Sequence, residues 1–134
     1  MLPSGLPEHV ADEEDLARFL TSSSQFSALG VKWVAFLPKD QKKSVFRHGA
    51  EPRQKLIEIA RAYISSTATV HGAGIIRAET IRSAGLDVIA EEPPPRHADI
   101  VGWPVVAMDP ELQKAHRKER ALILAANSAL VRFT

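Results

Sequence analysis

Apolar and polar positions recur along this chain in two rhythms, and those rhythms assign most of its elements. Leu16, Phe19 and Leu20 fall at helical spacing behind Asp12, Glu13, Glu14 and Asp15. An acid at the cap and acids in the first turn suit a helix dipole, so the stretch predicts a helix from Asp12 into the Thr21-Ser22-Ser23-Ser24 run. Residues 31–37 (VKWVAFL) are rich in β-branched and aromatic side chains. They predict a buried strand with Trp33 in the core. After a turn at 38–42, residues 43–48 (KSVFRH) predict its hairpin partner. Alternation there sets Val45, Arg47 and Gly49 on one face and Ser44, Phe46 and His48 on the other. With Phe46 taken as core, Arg47 faces outward.

Glu51 and Pro52 open the clearest amphipathic helix, with Leu56, Ile57, Ala60, Tyr63 and Ile64 on its apolar side. A third strand starts at 67–70 and runs into His71-Gly72-Ala73-Gly74-Ile75-Ile76. Its two glycines predict a bulge, or close approach by another backbone or a ligand. Residues 78–84 form a short helix closed by Gly85 and Leu86, and 87–90 a short strand. Asp109-Pro110-Glu111 starts the last helix. Leu112, Ala115, Leu122, Ile123 and Ala126 are its expected buried stripe; Lys114, Arg117, Lys118 and Arg120 form its outside. Residues 130–133 add an edge strand. Residues 1–10, with Pro3, Gly5 and Pro7, are expected to be irregular. The sum is one α+β domain over residues 1–134: four helices packed on a four- or five-stranded mixed or antiparallel sheet.

Composition narrows the class. A chain of 134 residues with 45% hydrophobic and 25% charged residues is an ordinary globular domain. With no cysteine, disulfides and thiolate metal sites are excluded. No basic-then-apolar leader and no stretch of membrane-spanning length is visible, so the expectation is a cytoplasmic protein without a membrane partner. The net charge of +1 hides an asymmetry. Residues 8–15 are acidic, whereas Lys32, Lys39, Lys42, Lys43, Arg47, Arg53 and Lys55 crowd the next part, and the last helix adds more cations. Such clusters fit a phosphate-facing surface or a solvated face balanced by the acidic start.

Residues 92–104 (EPPPRHADIVGWP) are unlike a routine element. Proline fixes φ and biases the residue before it toward extended geometry, so 92–95 is expected to be extended and stiff. It presents Arg96 and His97, with Asp99 on the same side as His97 if the chain stays extended. Trp103 sits in a turn, either pinned in the core or exposed as a partner anchor.

Familiar nucleotide and hydrolase signatures are missing. Gly72-x-Gly74 lacks the third glycine of a dinucleotide loop, because that position is Arg77. There is no Walker ending, no Gly-x-Ser-x-Gly elbow and no His-Glu-x-x-His helix. SVFR (44–47), SAGLDV (83–88) and PPPRHADIVGWP (93–104) together resemble a group of small uncharacterised bacterial proteins, over most of residues 16–126. That resemblance implies no activity, cofactor or site.

The chemistry on offer is therefore that of histidines. His48, His71 and His97 each lie beside a cation or a glycine bend. Two histidines and an arginine suffice for metal-independent phosphodiester cleavage, as in a ribonuclease-like enzyme. The candidate set is His71 and His97, supported by Arg96 or Arg47, with RNA or a nucleotide phosphate as partner. No cofactor and no metal is expected in it; a His97–Asp99 metal site completed by His71 or His48 ranks lower. The reading from another class is a non-catalytic protein-binding module, such as an antitoxin, immunity or defence accessory protein, using the proline run and Trp103 to hold a protein partner.

Overall fold

The computed structural model describes residues 2–48, 51–64 and 69–133. Gly49 and the 67–68 start of the expected third strand lie outside these. In chain order the elements are β1 Asp15–Leu20, β2 Phe26–Ser27, β3 Gly30–Val31, β4 Lys43–Arg47, α1 Arg53–Tyr63, β5 Gly72–Arg77, α2 Ala78–Ser83, β6 Asp87–Ala90, β7 His97–Val101, α3 Pro110–Ala126 and β8 Ala129–Arg132. Six strands form one sheet in the order β6-β7-β4-β1-β5-β8, every pairing antiparallel; β2 and β3 form a separate two-stranded ribbon. The expectation of four helices on four or five strands is thus corrected. Among the described residues there are three α-helices and a six-stranded sheet.

The missing helix became the central strand. Residues 15–20 carry apolar side chains at 16, 17, 19 and 20, and all four are buried. That spacing mimics a helix. Its cause is a strand covered on both sides, which has no polar face to alternate with. Leu16 and Leu20 join the larger core with Val45, Ile76, Val88 and Ile100, under α2 and α3. Ala17 and Phe19 join Phe46, Ala73 and the α1 residues Leu56, Ile59 and Ala60 on the other face. The sheet is therefore sandwiched between helices.

The acids before β1 complement distant arginines, not a helix dipole. Glu14 receives the Nε–H and Nη2–H of Arg47, each at 2.8 Å, and the backbone N–H of Ala11. Asp12 pairs with Arg82, which also donates to Asp87 at 2.9 Å. Burial favours protonation of Glu14, but Arg47 and the Ala11 N–H outweigh it and hold the carboxyl below its ordinary range.

Two further expectations are revised. Residues 31–37 do not form a strand paired with β4: only Gly30–Val31 is strand, and Trp33–Ala35 is a 3₁₀ turn. Trp33 is half-buried beneath the Lys118 ammonium, 4.7 Å from its ring centroid. In α3 the buried residues are Ala121, Leu124 and Ala125, while Leu112, Leu122 and Ile123 are exposed. The helix is turned from the expected orientation because Arg117 faces the fold, donating to the carbonyls of Pro104 and Asp40. Trp103, by contrast, is 4% exposed, and its indole N–H donates to the Ile100 carbonyl at 3.0 Å. It is a core residue, which removes it as a partner anchor.

Elements with strong local punctuation formed close to expectation. Asp109 caps α3 by accepting the Leu112 N–H, with Pro110 in the first turn. Gly85 takes φ +83° after α2, a conformation costly for any side chain. The expected strands at 43–48, 87–90 and 130–133 correspond to β4, β6 and β8.

Candidate functional site

The site grows from the pairing of β4 with β7. Register sets Ser44 opposite Asp99 and Phe46 opposite His97, so all four side chains emerge on one face. This is the α1 face, but α1 covers only β4, β1 and β5. The β6–β7 end of that face has no helix above it among the described residues, and Ile89 of β6 is 44% exposed there. Ser44, His97 and Asp99 stand at the step between covered and open sheet.

Their geometry is specific. The Ser44 Oγ lies 2.6 Å from His97 Nε2, and His97 Nδ1 lies 2.7 Å from the Glu91 carbonyl oxygen. A carbonyl can only accept, so Nδ1 carries the proton. In the neutral ring Nε2 is then the acceptor, and the Ser44 hydroxyl donates to it. The arrangement is a nucleophile, a base and a group that orients the base. Asp99, 3% exposed, places Oδ1 3.7 Å from the same Nε2, and Lys42 Nζ stands 3.7 Å from Asp99 Oδ2. An imidazolium formed at His97 would face a carboxylate. The ring is steadied by an edge contact with Phe46 at 5.4 Å, and Phe46 stacks on Tyr63 at 5.9 Å.

The proline run supplies this geometry differently from the expected extended arm. Residues 91–96 close the β6–β7 hairpin: the Glu91 N–H donates to the His97 carbonyl, and the His97 N–H to the Pro94 carbonyl. The peptide bonds before Pro93 and Pro94 are cis, and Arg96 has φ +70°. Glu92 fastens the loop, accepting from the Ser4 hydroxyl and N–H and from the Arg96 N–H. Those hydrogen bonds overcome the effect of burial and hold the Glu92 carboxyl below its ordinary range.

The four candidate residues do not converge. His97 is in the site. Arg96 flanks it, but its Nη1–H is directed at the Arg47 carbonyl at 3.2 Å, and Nη2 lies 3.6 Å from Glu51. Its head lines a cleft of about 390 Å³ with Lys55, Tyr63 and Pro95. Arg47, expected to face outward, is 1% exposed and held by Glu14 and the Pro7 carbonyl. It pins the N-terminal segment and presents nothing to a ligand. His71 is remote: Ile75, Ala17, Phe46 and His97 form one cross-strand row, and His71 lies four residues before Ile75 on the third strand away. At sheet spacings that separation is roughly 20 Å. Its ring rests near Phe26, and the neighbouring glycines admit other parts of the chain. A Cβ on Gly72 would strike the Val131 carbonyl, and one on Gly74 would meet Val31 at 3.0 Å.

Sequence reasoning passed over Ser44, although the alternation of β4 had already set it beside Phe46. Nothing local says that β7 pairs with β4. Among the described residues no three histidine or acidic side chains are grouped to hold a metal ion. Nor is any described helix long and apolar enough to cross a membrane. Comparison with family models, curated proteins and solved structures returned no match to this chain.

Proposed function

We propose that this protein hydrolyses phosphodiesters, with Ser44 as nucleophile and His97 as its base. The observation that carries the reading is the 2.6 Å contact between Ser44 Oγ and His97 Nε2, with Nδ1 tied to the Glu91 carbonyl. Ser44 Oγ attacks phosphorus and its proton passes to Nε2. The bond from phosphorus to the leaving alkoxide breaks, and the alkoxide takes that proton. Water, activated by the same nitrogen, then attacks phosphorus and frees the serine oxygen. Asp99 stabilises the imidazolium between these transfers. The phosphate class is supported by the cation nearest the site, Lys42, whose Nζ stands 3.7 Å from Asp99. The test is hydrolysis of bis(p-nitrophenyl) phosphate together with mass-spectrometric detection of a covalent adduct from a fluorophosphonate probe. Ser44→Ala should abolish both. An adduct at another serine, or hydrolysis unchanged in Ser44→Ala, refutes the reading.

A second reading, a protein-binding module without catalysis, is favoured by the outer face of α3. Leu112, Leu122 and Ile123 are exposed there, and Met108 is bare just before the helix. The occupant we infer is a second copy of this chain. Packed antiparallel about residue 119, Leu112 meets Ala126 and Ala115 meets Ile123 of the other copy, large against small. Sedimentation equilibrium should then show a dimer that Leu122→Glu dissociates; a wild-type monomer excludes it.

A further inference from the structure

The loop at 38–42 and the first turns of α3 enclose two abutting clefts of about 540 and 280 Å³, which share Lys39, Gln113 and Arg117. Lys42 lines one and Lys114 the other. Four cations from segments some seventy residues apart thus line one elongated groove, against Asp40 and Glu111. Arg117 is committed to the Pro104 and Asp40 carbonyls and shapes the wall. Gln113 uses its carbonyl oxygen on the Val106 N–H, which leaves its amide donors for another acceptor. The side chains of Lys39 and Lys114 have no hydrogen bond or ion pair with any described residue. Behind the groove, burial and then the nearby Arg18 and Lys39 charges pull Lys43 down to about 8. Four cations against two carboxylates leave the groove lining net positive.

We propose that this groove binds the phosphate backbone of single-stranded RNA. Two joined clefts suit an extended chain with repeated charges better than one compact anion, and the free amide donors of Gln113 between the lysines can take a ribose or base oxygen, which polyphosphate lacks. The groove is continuous with the serine site through Lys42, which lines it and also stands 3.7 Å from Asp99. The inference deepens the phosphodiester reading and rests on it for what happens to the strand after binding, though not for binding itself.

The test uses the full chain, a fluorescein-labelled single-stranded oligoribonucleotide and anisotropy across a salt series. With about three phosphates neutralised, by Lys39, Lys42 and Lys114, log K should fall against log salt with a slope of about −2. The double variant Lys39→Glu/Lys114→Glu should weaken binding at least tenfold and flatten that slope. Arg53→Glu, an exposed charge reversal at the start of α1, should leave binding unchanged. Equal losses in both variants, or no binding at low salt, overturn the groove. Displacement of the RNA by inorganic polyphosphate of matched charge as readily as by unlabelled RNA overturns the assignment to RNA. Ser44→Ala should bind normally while failing to cleave. A groove variant that binds as wild type, in a protein whose Ser44 chemistry holds, defeats this inference alone. An inactive Ser44 in a protein whose groove variants lose RNA defeats only the catalytic reading.

Discussion

At the scale of single residues, the proposed chemistry and the stability rest on different polar groups that look alike in the sequence. His97 is held by hydrogen bonds at both ring nitrogens. On the proposed mechanism, His97→Ala should lower phosphodiester turnover by roughly 10²–10⁴, the range of a positioned base, with an unchanged urea midpoint as the control for folding. Arg47 and Glu14 act only on the fold. Removing one partner of a buried pair leaves the other uncompensated, so Arg47→Met should cost about 3–5 kcal/mol, read from the same denaturation curves. His48 is a third case. It is buried, and its Nδ1 has no hydrogen-bond partner among the described residues. Burial holds its pKa below the ordinary 6.5. The unfolded chain therefore takes up this proton first as pH falls. Stability is full above about 6.5, declines as pH drops below it, and levels off below the folded pKa. His48→Leu should remove that part of the decline below about pH 6.5, measured as urea midpoint against pH.

At the scale of elements, a side chain's worth depends on which face its element turns inward. The sequence placed Trp33 in the core and left Trp103 open between core and exposed turn, whereas Trp103 is buried and Trp33 only half-buried. Trp103→Ala, at a fully packed site, should cost about 3–5 kcal/mol. Trp33→Ala should cost distinctly less, since that ring is only partly buried against the core and is partly covered by the Lys118 ammonium. Thermal midpoints of the two variants should rank in that order. The β5–β8 pairing makes a similar distinction among glycines. Gly72→Ala must push the Val131 carbonyl aside, and should loosen β8 without touching Ser44 or His97. Faster amide exchange confined to residues of β5 and β8 would be its signature.

Over the whole molecule, the sheet order predicts a gradient of protection. β1 has a strand on each side and a helix layer over each face, whereas β6 and β8 are edges. In native-state hydrogen exchange the β1 amides of Ala17 and Phe19 should open only with global unfolding, and those of β8 well before it. A β1 that exchanged as fast as β8 would contradict the topology. The same order sets the candidate site at a boundary. β4 is covered by α1, β7 beside it is not, and the Ser44–His97 contact spans that step.

What the sequence determined by itself is what short-range physics controls. The cap at Asp109-Pro110, the turn at Gly85, the amphipathic α1 and the strand at β4 all rest on contacts within a few residues, so their signals survive without the fold. The side-chain alternation that put Ser44 with Phe46, and His97 with Asp99, was legible for the same reason. Tertiary structure alone decided the rest. A doubly covered strand such as β1 has no alternation to read, and its apolar spacing passes for a helix. Arg47 and Glu14, 33 positions apart, compensate each other only once β1 and β4 are side by side. The site was half visible in His97 and misdirected toward His71. Strand register is a non-local choice, settled by which pairing buries both faces of the sheet, and it brought a serine from β4, not a second histidine, to the imidazole.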